Sequence, residues 1–266
     1  MQGWENNVTE KHQPVVIKIG GNALGPNDTT FEDCVELQKR GIPIVIVHGG
    51  GPTITQWLDK QGVETMFVEG RRVTSEESLE IVTAVLCGLV NKKLVALINA
   101  RGGRAVGISG VDATLVKADI RDSALGLVGE VESVDSSLIQ HLLDGGYIPV
   151  VSPVSSNARA FEATLNVNAD TVAAAVAGTL GAERLVFLTD VPGVLDEEGT
   201  PIGVLTPSQV RTLIGSEVIS GGMIPKVEAC IDALSYVGKA QIADGRETGV
   251  LRHALDDQAG SLIVGE

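Results

Sequence analysis

Residues 15–24 read Val-Val-Ile-Lys-Ile-Gly-Gly-Asn-Ala-Leu, and the reading of this stretch decides the fold. Val15 to Ile19 is apolar except for Lys18 and runs straight into Gly20-Gly21. A short unbroken apolar run bounded by glycine suits a central parallel strand covered on both faces. Four more runs of the kind follow. Ile44–Val47 ends at His48-Gly49-Gly50-Gly51, Ala105–Ile108 at Ser109-Gly110, Ile148–Val151 at Ser152-Pro153, and Leu185–Leu188 at Thr189-Asp190. Helical patterns lie between them: Phe31–Arg40, Thr53–Gln61, Ser75–Ala100, Ser136–Asp144, Ala169–Leu180, Pro207–Ile214 and Ile224–Val237. This alternation predicts an α/β protein with an open, mostly parallel central sheet sandwiched between helices.

Two segments break the alternation. Val63–Val73 reads as two short strands around Glu69-Gly70, a hairpin outside the main sheet. Val116–Val134 reads as a second antiparallel patch. Weak composition cues place a lobe boundary near Leu180-Gly181, giving a lobe of residues 1–180 and one of residues 181–266.

Composition narrows the function classes. A hydrophobic fraction of 44 % is too high for a disordered chain. Thirty-four acidic against 20 basic residues give a net charge of -14, and there are only 2 Trp, 2 Tyr and 4 Phe. Nucleic-acid binding needs positive potential and stacking platforms, so it is not expected. Any anionic ligand must be met by local cations and backbone N–H groups. Cys34, Cys87 and Cys230 are far apart, form no CxxC pair, and read as small buried hydrophobes of a protein in a reducing cytoplasm. Met1 to Pro14 has no apolar core, and no stretch approaches the ~18 unbroken apolar residues of a membrane span. Neither a leader nor a membrane segment is expected.

In parallel α/β sheets, ligands sit beyond the carboxyl ends of the strands. Gly49-Gly50-Gly51 meets that condition: Pro52 suits a first helical turn, and the helix behind it offers free N–H groups and a positive dipole end. No Walker A motif and no GxGxxG fingerprint is present. The four histidines lack ligand spacing, so no metal site is expected, and His48 reads as a local hydrogen-bonding group. Lys18 is the most informative residue, because a lysine in an apolar strand is costly unless its ammonium reaches an anion or the strand's end. Lys226 follows Gly221-Gly222 at the start of a helix, and Asp170 stands at the start of another. Two lysines, one acid and several glycine corners point to phosphoryl transfer without a nucleophilic Ser or Cys.

At these residues the chain closely resembles the acetylglutamate kinases of the amino acid kinase family. The matching segments are VIKIGGNAL (16–24), IVIVHGGGP (44–52), GRRVT (70–74), VNKKLVALINARGG (90–103), NVNADTVAAAVA (166–177), FLTDVPGVL (187–195) and GGMIPKVEACIDAL (221–234). They fall in family order from about residue 15 to the C-terminus. The resemblance implies ATP-dependent phosphorylation of the side-chain carboxylate of N-acetyl-L-glutamate, with Mg²⁺ accompanying ATP, in arginine biosynthesis. It places Lys18 and Lys226 beside the transferring phosphoryl group and Asp170 between them. Gly50, Gly51, Arg72, Asn166 and Asn168 would bind the acetylamino acid. Gly20 and Gly21 would lie near the phosphates. Thr189, Asp190, Val191, Pro192, Gly193 and Val194, with Val218, Ile219 and Ser220, would contact the nucleotide.

Residues 1–180 would then bind the acyl-amino acid and dimerise, and residues 181–266 would bind ATP. Arginine-inhibited members resemble one another in a longer N-terminal helix. Only about 14 residues precede the first strand here, so the expectation is an arginine-insensitive homodimer. Two other readings stay open: a kinase for another N-protected acidic amino acid, such as an α-aminoadipate derivative, and a non-catalytic amino-acid or nucleotide-binding regulator. One methylene is worth only about 1–3 kcal/mol in a pocket, which leaves the first of these unresolved. Lys18, Lys226 and Asp170 argue against the second.

Overall fold

Strand β1 (Val15–Ile19) runs through the middle of an 11-stranded sheet and is buried along its whole length. The structure is a computed structural model that describes residues 12–25, 28–68, 71–160 and 162–266. Along the chain follow β2 (Ile44–His48), the short pair β3 (Phe67–Val68) and β4 (Arg71–Arg72), β5 (Ala105–Gly110), β6 (Val116–Asp119) and β7 (Val128–Val134). Then come β8 (Ile148–Asn157), β9 (Thr164–Val167), β10 (Arg184–Thr189), β11 (Val204–Leu205), β12 (Lys239–Asp244) and β13 (Ser261–Ile263). The sheet runs in the order β11-β13-β12-β10-β1-β2-β8, with β5 beside the first half of β8 and β6, β7 and β9 gathered around its second half. The central pairs β10–β1, β1–β2, β2–β8, β5–β8 and β10–β12 are all parallel, as the apolar runs predict. Antiparallel pairs lie at the margins: β12–β13, β6–β7 and β8–β9.

The helices are α1 (Thr30–Lys39), α2 (Gly51–Gln61), α3 (Glu76–Thr83), α4 (Asn91–Ala100), α5 (Ser137–Asp144), α6 (Ala169–Leu180), α7 (Pro207–Gly215), α8 (Ile224–Ala233) and α9 (Val250–Leu255). A π-helical stretch, Ala84–Val90, joins α3 to α4 without a break. The period of two along each strand decides what each helix covers. Val15, Ile17, Ile19, Ile44 and Ile46 pack on one face against Phe31, Cys34, Leu94, Ile98 and Leu251. Val16, Val45, Val47, Leu185 and Phe187 pack on the other against Val172, Ala173 and Val176 of α6 and Val227 and Cys230 of α8. Each fully buried side chain of this size contributes about 1.5–3 kcal/mol. Lys18 shares a face with Val16, so the alternation that builds the core also turns this lysine toward α6 and α8.

Several expectations need correction. The run Ile148–Val151 does not end at Ser152-Pro153. Strand β8 continues to Asn157, and the missing proline N–H falls in a register shift, where Ser109 faces Ser152 but Gly110 faces Ser155. Segment Val116–Val134 does form an antiparallel pair, β6–β7, but β6 also joins β8, so the patch belongs to the main sheet. Helix α8 stops at Ala233 and not at Val237. Cys34 and Cys230 are buried, whereas Cys87 is half-buried, with its Sγ 3.3 Å from Ser152 Oγ. The hairpin forms, with Phe67 opposite Arg72 and Val68 opposite Arg71, while its expected turn at Glu69-Gly70 lies outside the described residues. So does most of the N-terminal segment on which the arginine-insensitivity expectation rests.

The continuous helix Glu76–Ala100 is long and apolar enough, by length and composition alone, to cross a membrane. Here it is built into the fold, with Val82, Val85, Leu86, Leu94 and Ile98 in its cores and the polar Asn91 buried. Residues on both sides of position 180 share one sheet, since β10 pairs directly with β1.

Candidate functional site

Three elements deliver the charged centre. Lys18 comes from the buried strand β1, Asp170 from the first turn of α6 and Lys226 from the first turn of α8. Lys18 Nζ lies 2.7 Å from Asp170 Oδ1, and Lys226 Nζ lies 3.6 Å from Asp170 Oδ2. Burial pushes the Asp170 carboxyl up, but the ammonium groups of Lys18 and Lys226 more than offset it and hold it below the usual carboxylate range. The 2.7 Å approach of the Lys18 ammonium to Oδ1 is the distance of a charge-assisted contact. Asn168 sets the acid in place as the N-cap of α6: its side chain accepts a 2.7 Å hydrogen bond from the Asp170 N–H. Two cations and one anion leave a net positive centre at the N-termini of two helices, where dipole and free N–H groups also favour an anion.

This centre opens on a cleft of about 1590 Å³, lined by Lys18, Gly21, Gly50, Gly51, Arg72, Asn166, Asn168 and Lys226 among others. Typical pockets for a single small ligand run to about 300–1,000 Å³, so there is room for two substrates. In the same lining, α2 begins at Gly51 with Pro52 in its first turn. The N–H groups of Gly50 and Gly51 have no hydrogen-bond partner among the described residues. Side chains are excluded at the neighbouring glycines: a Cβ on Gly21 would stand 2.5 Å from Pro52 Cδ, and one on Gly50 would stand 2.7 Å from Leu86 Cδ2.

Arg72 is a buried cation to which no carboxylate pairs among the described residues. Its guanidinium donates to Thr55 Oγ1 at 2.7 Å, to the Gly51 carbonyl at 3.3 Å and to Thr65 Oγ1 at 3.3 Å, and it stacks 4.7 Å from the Phe67 ring centroid. Burial lowers its pKa, and Asp59 works weakly in the opposite direction. A buried, oriented guanidinium without an anion is a receptor for one.

A model of the amino acid kinase family matches residues 13–244. The chain belongs to the amino acid kinase family. Among curated relatives, the acetylglutamate kinase of Cereibacter sphaeroides (strain ATCC 17029 / ATH 2.4.9) is 46 % identical over 255 residues, covering 94 % of this chain and 87 % of that one. The acetylglutamate kinase of Synechococcus sp. (strain RCC307) is 48 % identical over 261 residues, covering 94 % and 88 %. Among solved structures, smu.665 from Streptococcus mutans UA159 superposes with a TM-score of 0.83 at 32 % identity, covering 94 % of this chain and 98 % of that one. The carbamate kinase of Giardia lamblia bound to AMP-PNP shares the fold, with a TM-score of 0.69 at 16 % identity and 96 % of this chain covered. The kinase class that the motifs imply follows from this membership.

In this amino acid kinase the glycine loop is held from behind by a polar network that the sequence does not reveal. Lys92 Nζ donates to Asn91 Oδ1 at 3.0 Å, and an ammonium can only donate, so the Asn91 Nδ2 faces His48 Nε2 at 3.1 Å. His48 therefore accepts at Nε2 and donates from Nδ1 to the Gly49 carbonyl at 2.9 Å. Burial pushes the His48 pKa down to about 4, so the ring is neutral and serves as the local hydrogen-bonding group expected of it. Thr55 and Thr74 were likewise missed. Thr55 lies one helical turn after Gly51 and clamps Arg72; Thr74 accepts from Asn166 Nδ2 at 3.0 Å.

Of the expected nucleotide residues Gly21 lines the cleft, whereas Gly20, Thr189 to Val194 and Val218 to Ser220 are not part of its lining. Gly20 backs onto Lys18 and donates its N–H to the Leu188 carbonyl. Thr189 ends β10 buried, Asp190 is exposed, and Val191 and Pro192 lead into Gly193. Gly193 has a φ of 147°, and a Cβ there would stand 2.6 Å from Ser261 Oγ, which itself accepts from the Val194 N–H. Val218, Ile219 and Ser220 lead directly into Gly221-Gly222, which do line the cleft beside Lys226. Among the described residues there is no cluster of three or more His, Cys, Asp or Glu side chains able to hold a metal ion.

Proposed function

We propose that this kinase transfers the γ-phosphoryl group of ATP to the side-chain carboxylate of N-acetyl-L-glutamate, giving N-acetylglutamyl 5-phosphate and ADP in arginine biosynthesis. The observation that carries the reading is the Lys18–Asp170–Lys226 arrangement in a cleft that is also lined by Arg72, which pairs with no carboxylate among the described residues. A carboxylate with an ordinary pKa near 4.3 is already ionised at neutral pH, so the acceptor needs no general base. One of its oxygens attacks the γ-phosphorus, and the bond to the β,γ-bridging oxygen breaks as ADP leaves. The difficulty is bringing two anions together, and positioning and charge stabilisation answer it.

In this reading Lys18 and Lys226 flank the phosphoryl group, and Asp170 keeps their ammonium groups from separating. Arg72 takes the acceptor's α-carboxylate, Asn166 and Asn168 belong to the same wall, and the free N–H groups of Gly50 and Gly51 point to where negative charge gathers. Gly20 and Gly21 keep the backbone close to the phosphates. Thr189–Val194 and Val218–Ser220 hold the nucleotide from the side of residues 181–266, and residues 1–180 hold the acyl-amino acid. Mg²⁺ enters as part of the substrate, on the nucleotide phosphates. The protein works in the cytoplasm, where Cys34, Cys87 and Cys230 stay reduced, and it works as a homodimer. The exposed apolar side of Glu76–Ala100, with Leu89 46 % exposed, supports a partner copy there.

Trapping the acyl phosphate with hydroxylamine tests the reading. Hydroxamate that forms only when ATP and N-acetyl-L-glutamate are both present is the expected result. ATP consumption without hydroxamate would contradict it.

A further inference from the structure

Thr74 is fully buried, carries no charge and does not line the cleft, yet it touches two of the residues assigned above to the acyl acceptor, Arg72 and Asn166. Its Oγ1 donates to the Arg72 carbonyl at 3.1 Å and lies 3.0 Å from Asn166 Nδ2. A carbonyl can only accept, so the single hydroxyl hydrogen goes to Arg72. The lone pair then faces Asn166, which must present its NH₂. This fixes the amide, and Asn166 Oδ1 is left without a protein partner among the described residues, on a residue that lines the cleft.

The backbone of Thr74 is clamped as firmly as its side chain. Its N–H donates to the Leu125 carbonyl at 2.9 Å and its carbonyl accepts from the Leu127 N–H at 2.7 Å. Gly126, with a φ of 70°, allows this approach, since a Cβ there would stand 2.4 Å from Thr74 O. The Leu127 carbonyl in turn accepts from the Asn166 N–H at 3.0 Å. Three segments distant in sequence, the end of the hairpin, the loop before β7 and β9, therefore meet at one residue, the loop on its backbone and β9 on its hydroxyl.

We infer that Thr74 is a positioning residue that sets the orientation of Asn166 relative to Arg72, and with it the class of acceptor. The inference rests on the function proposed above. The pair then presents a guanidinium for a carboxylate and, from Asn166 Oδ1, an acceptor for an adjacent N–H. An acylated amino nitrogen supplies that N–H without setting a second positive charge beside Arg72, as a free ammonium would.

Steady-state kinetics of Thr74→Val and Thr74→Ser, with melting temperatures, test this. Thr74→Val removes the hydroxyl at near-constant volume and raises KM for N-acetyl-L-glutamate by about tenfold, in keeping with one lost buried hydrogen bond. KM for ATP stays within about twofold, and Thr74→Ser returns the acceptor KM to within about threefold of the wild type. Should Thr74→Val not fold, Thr74→Ala, which cannot crowd the site, gives the same KM split. An unchanged acceptor KM in an active valine or alanine variant overturns the inference, as does an equal rise in both KM values that serine fails to rescue. A wild-type enzyme that does not phosphorylate N-acetyl-L-glutamate overturns the functional reading instead, and the inference with it.

Discussion

Lys18 Nζ stands 2.7 Å from Asp170 Oδ1, with side chains only 8 % and 7 % exposed. An ion pair so far from solvent is expensive to break from one side, because the remaining charge stays buried and unpaired. Lys226, 3.6 Å from the other carboxylate oxygen, is 22 % exposed. The two lysines are therefore equivalent in charge and unequal in setting. Lys18→Ala and Lys226→Ala should each lower kcat by at least about 100-fold, the usual scale for losing one preorganised group that stabilises transition-state charge. Urea denaturation should separate them. Lys18→Ala should cost about 3–5 kcal/mol of stability and Lys226→Ala clearly less.

The acid limb of stability should have two components. The folded-state pKa of Asp170 is depressed, so its contribution is present above the unfolded value near 3.9 and is lost as pH falls through the folded value. His48 also has a depressed pKa, about 4 against 6.5, because burial disfavours its charged form. Its contribution is present above pH 6.5 and is lost progressively as pH falls toward 4, amounting to roughly 3 kcal/mol. Denaturation curves for the wild type should steepen in that window, and His48→Asn should flatten them there. Asp170→Asn should flatten only the lower window. A His48→Asn curve parallel to that of the wild type would contradict the burial argument.

Arg72→Ala should raise KM for the acyl acceptor by about tenfold or more, the loss expected of a charged hydrogen-bonding group, with a smaller effect on kcat. Arg72→Lys should not restore it. A lysine cannot match the guanidinium fork that now spans Thr55, Thr65 and the Gly51 carbonyl. A fall in kcat with an unchanged acceptor KM would argue against carboxylate binding at this position.

Gly107 reports on the network behind the glycine loop. A Cβ there would stand 1.9 Å from Asn91 Oδ1 and 2.7 Å from Lys92 Nζ. Gly107→Ala should therefore destabilise by about 1–3 kcal/mol through overpacking. In an Asn91→Ala background most of that cost should vanish, because the nearer obstacle is gone and the Lys92 ammonium, at the end of a flexible side chain, can move aside. Additive effects in this double-mutant cycle would show that the two positions do not meet.

The legible parts of the molecule were those where one residue had to satisfy two demands at once. Lys18 stands out because charge does not belong in an apolar strand, and Gly49–Gly51 stand out because backbone must be bare there. The sheet core was legible because β1, β2 and β10 are buried on both faces and carry unbroken apolar runs. Strand β12 was missed because its centre, Gln241, looks like a surface residue; it is buried with its amide satisfied, Oε1 accepting from the buried Arg184 and Nε2 donating to the Ala259 carbonyl. Asn91 was hidden for a different reason. A polar residue in a long helix reads as solvent-facing, and the π-helical stretch just before it makes the helical period a poor guide to its neighbours. Thr74 gave no signal in isolation, since its role depends on partners 92 positions away.

The most direct test of the account is acceptor-dependent ADP release by the purified wild-type enzyme with ATP and Mg²⁺. The acceptors to compare are N-acetyl-L-glutamate, unacylated L-glutamate, an N-acylated α-aminoadipate and no acceptor. The account predicts the highest kcat/KM for N-acetyl-L-glutamate and near-background release with glutamate or with no acceptor. Faster turnover of the α-aminoadipate derivative, or release indifferent to the acceptor, would contradict it.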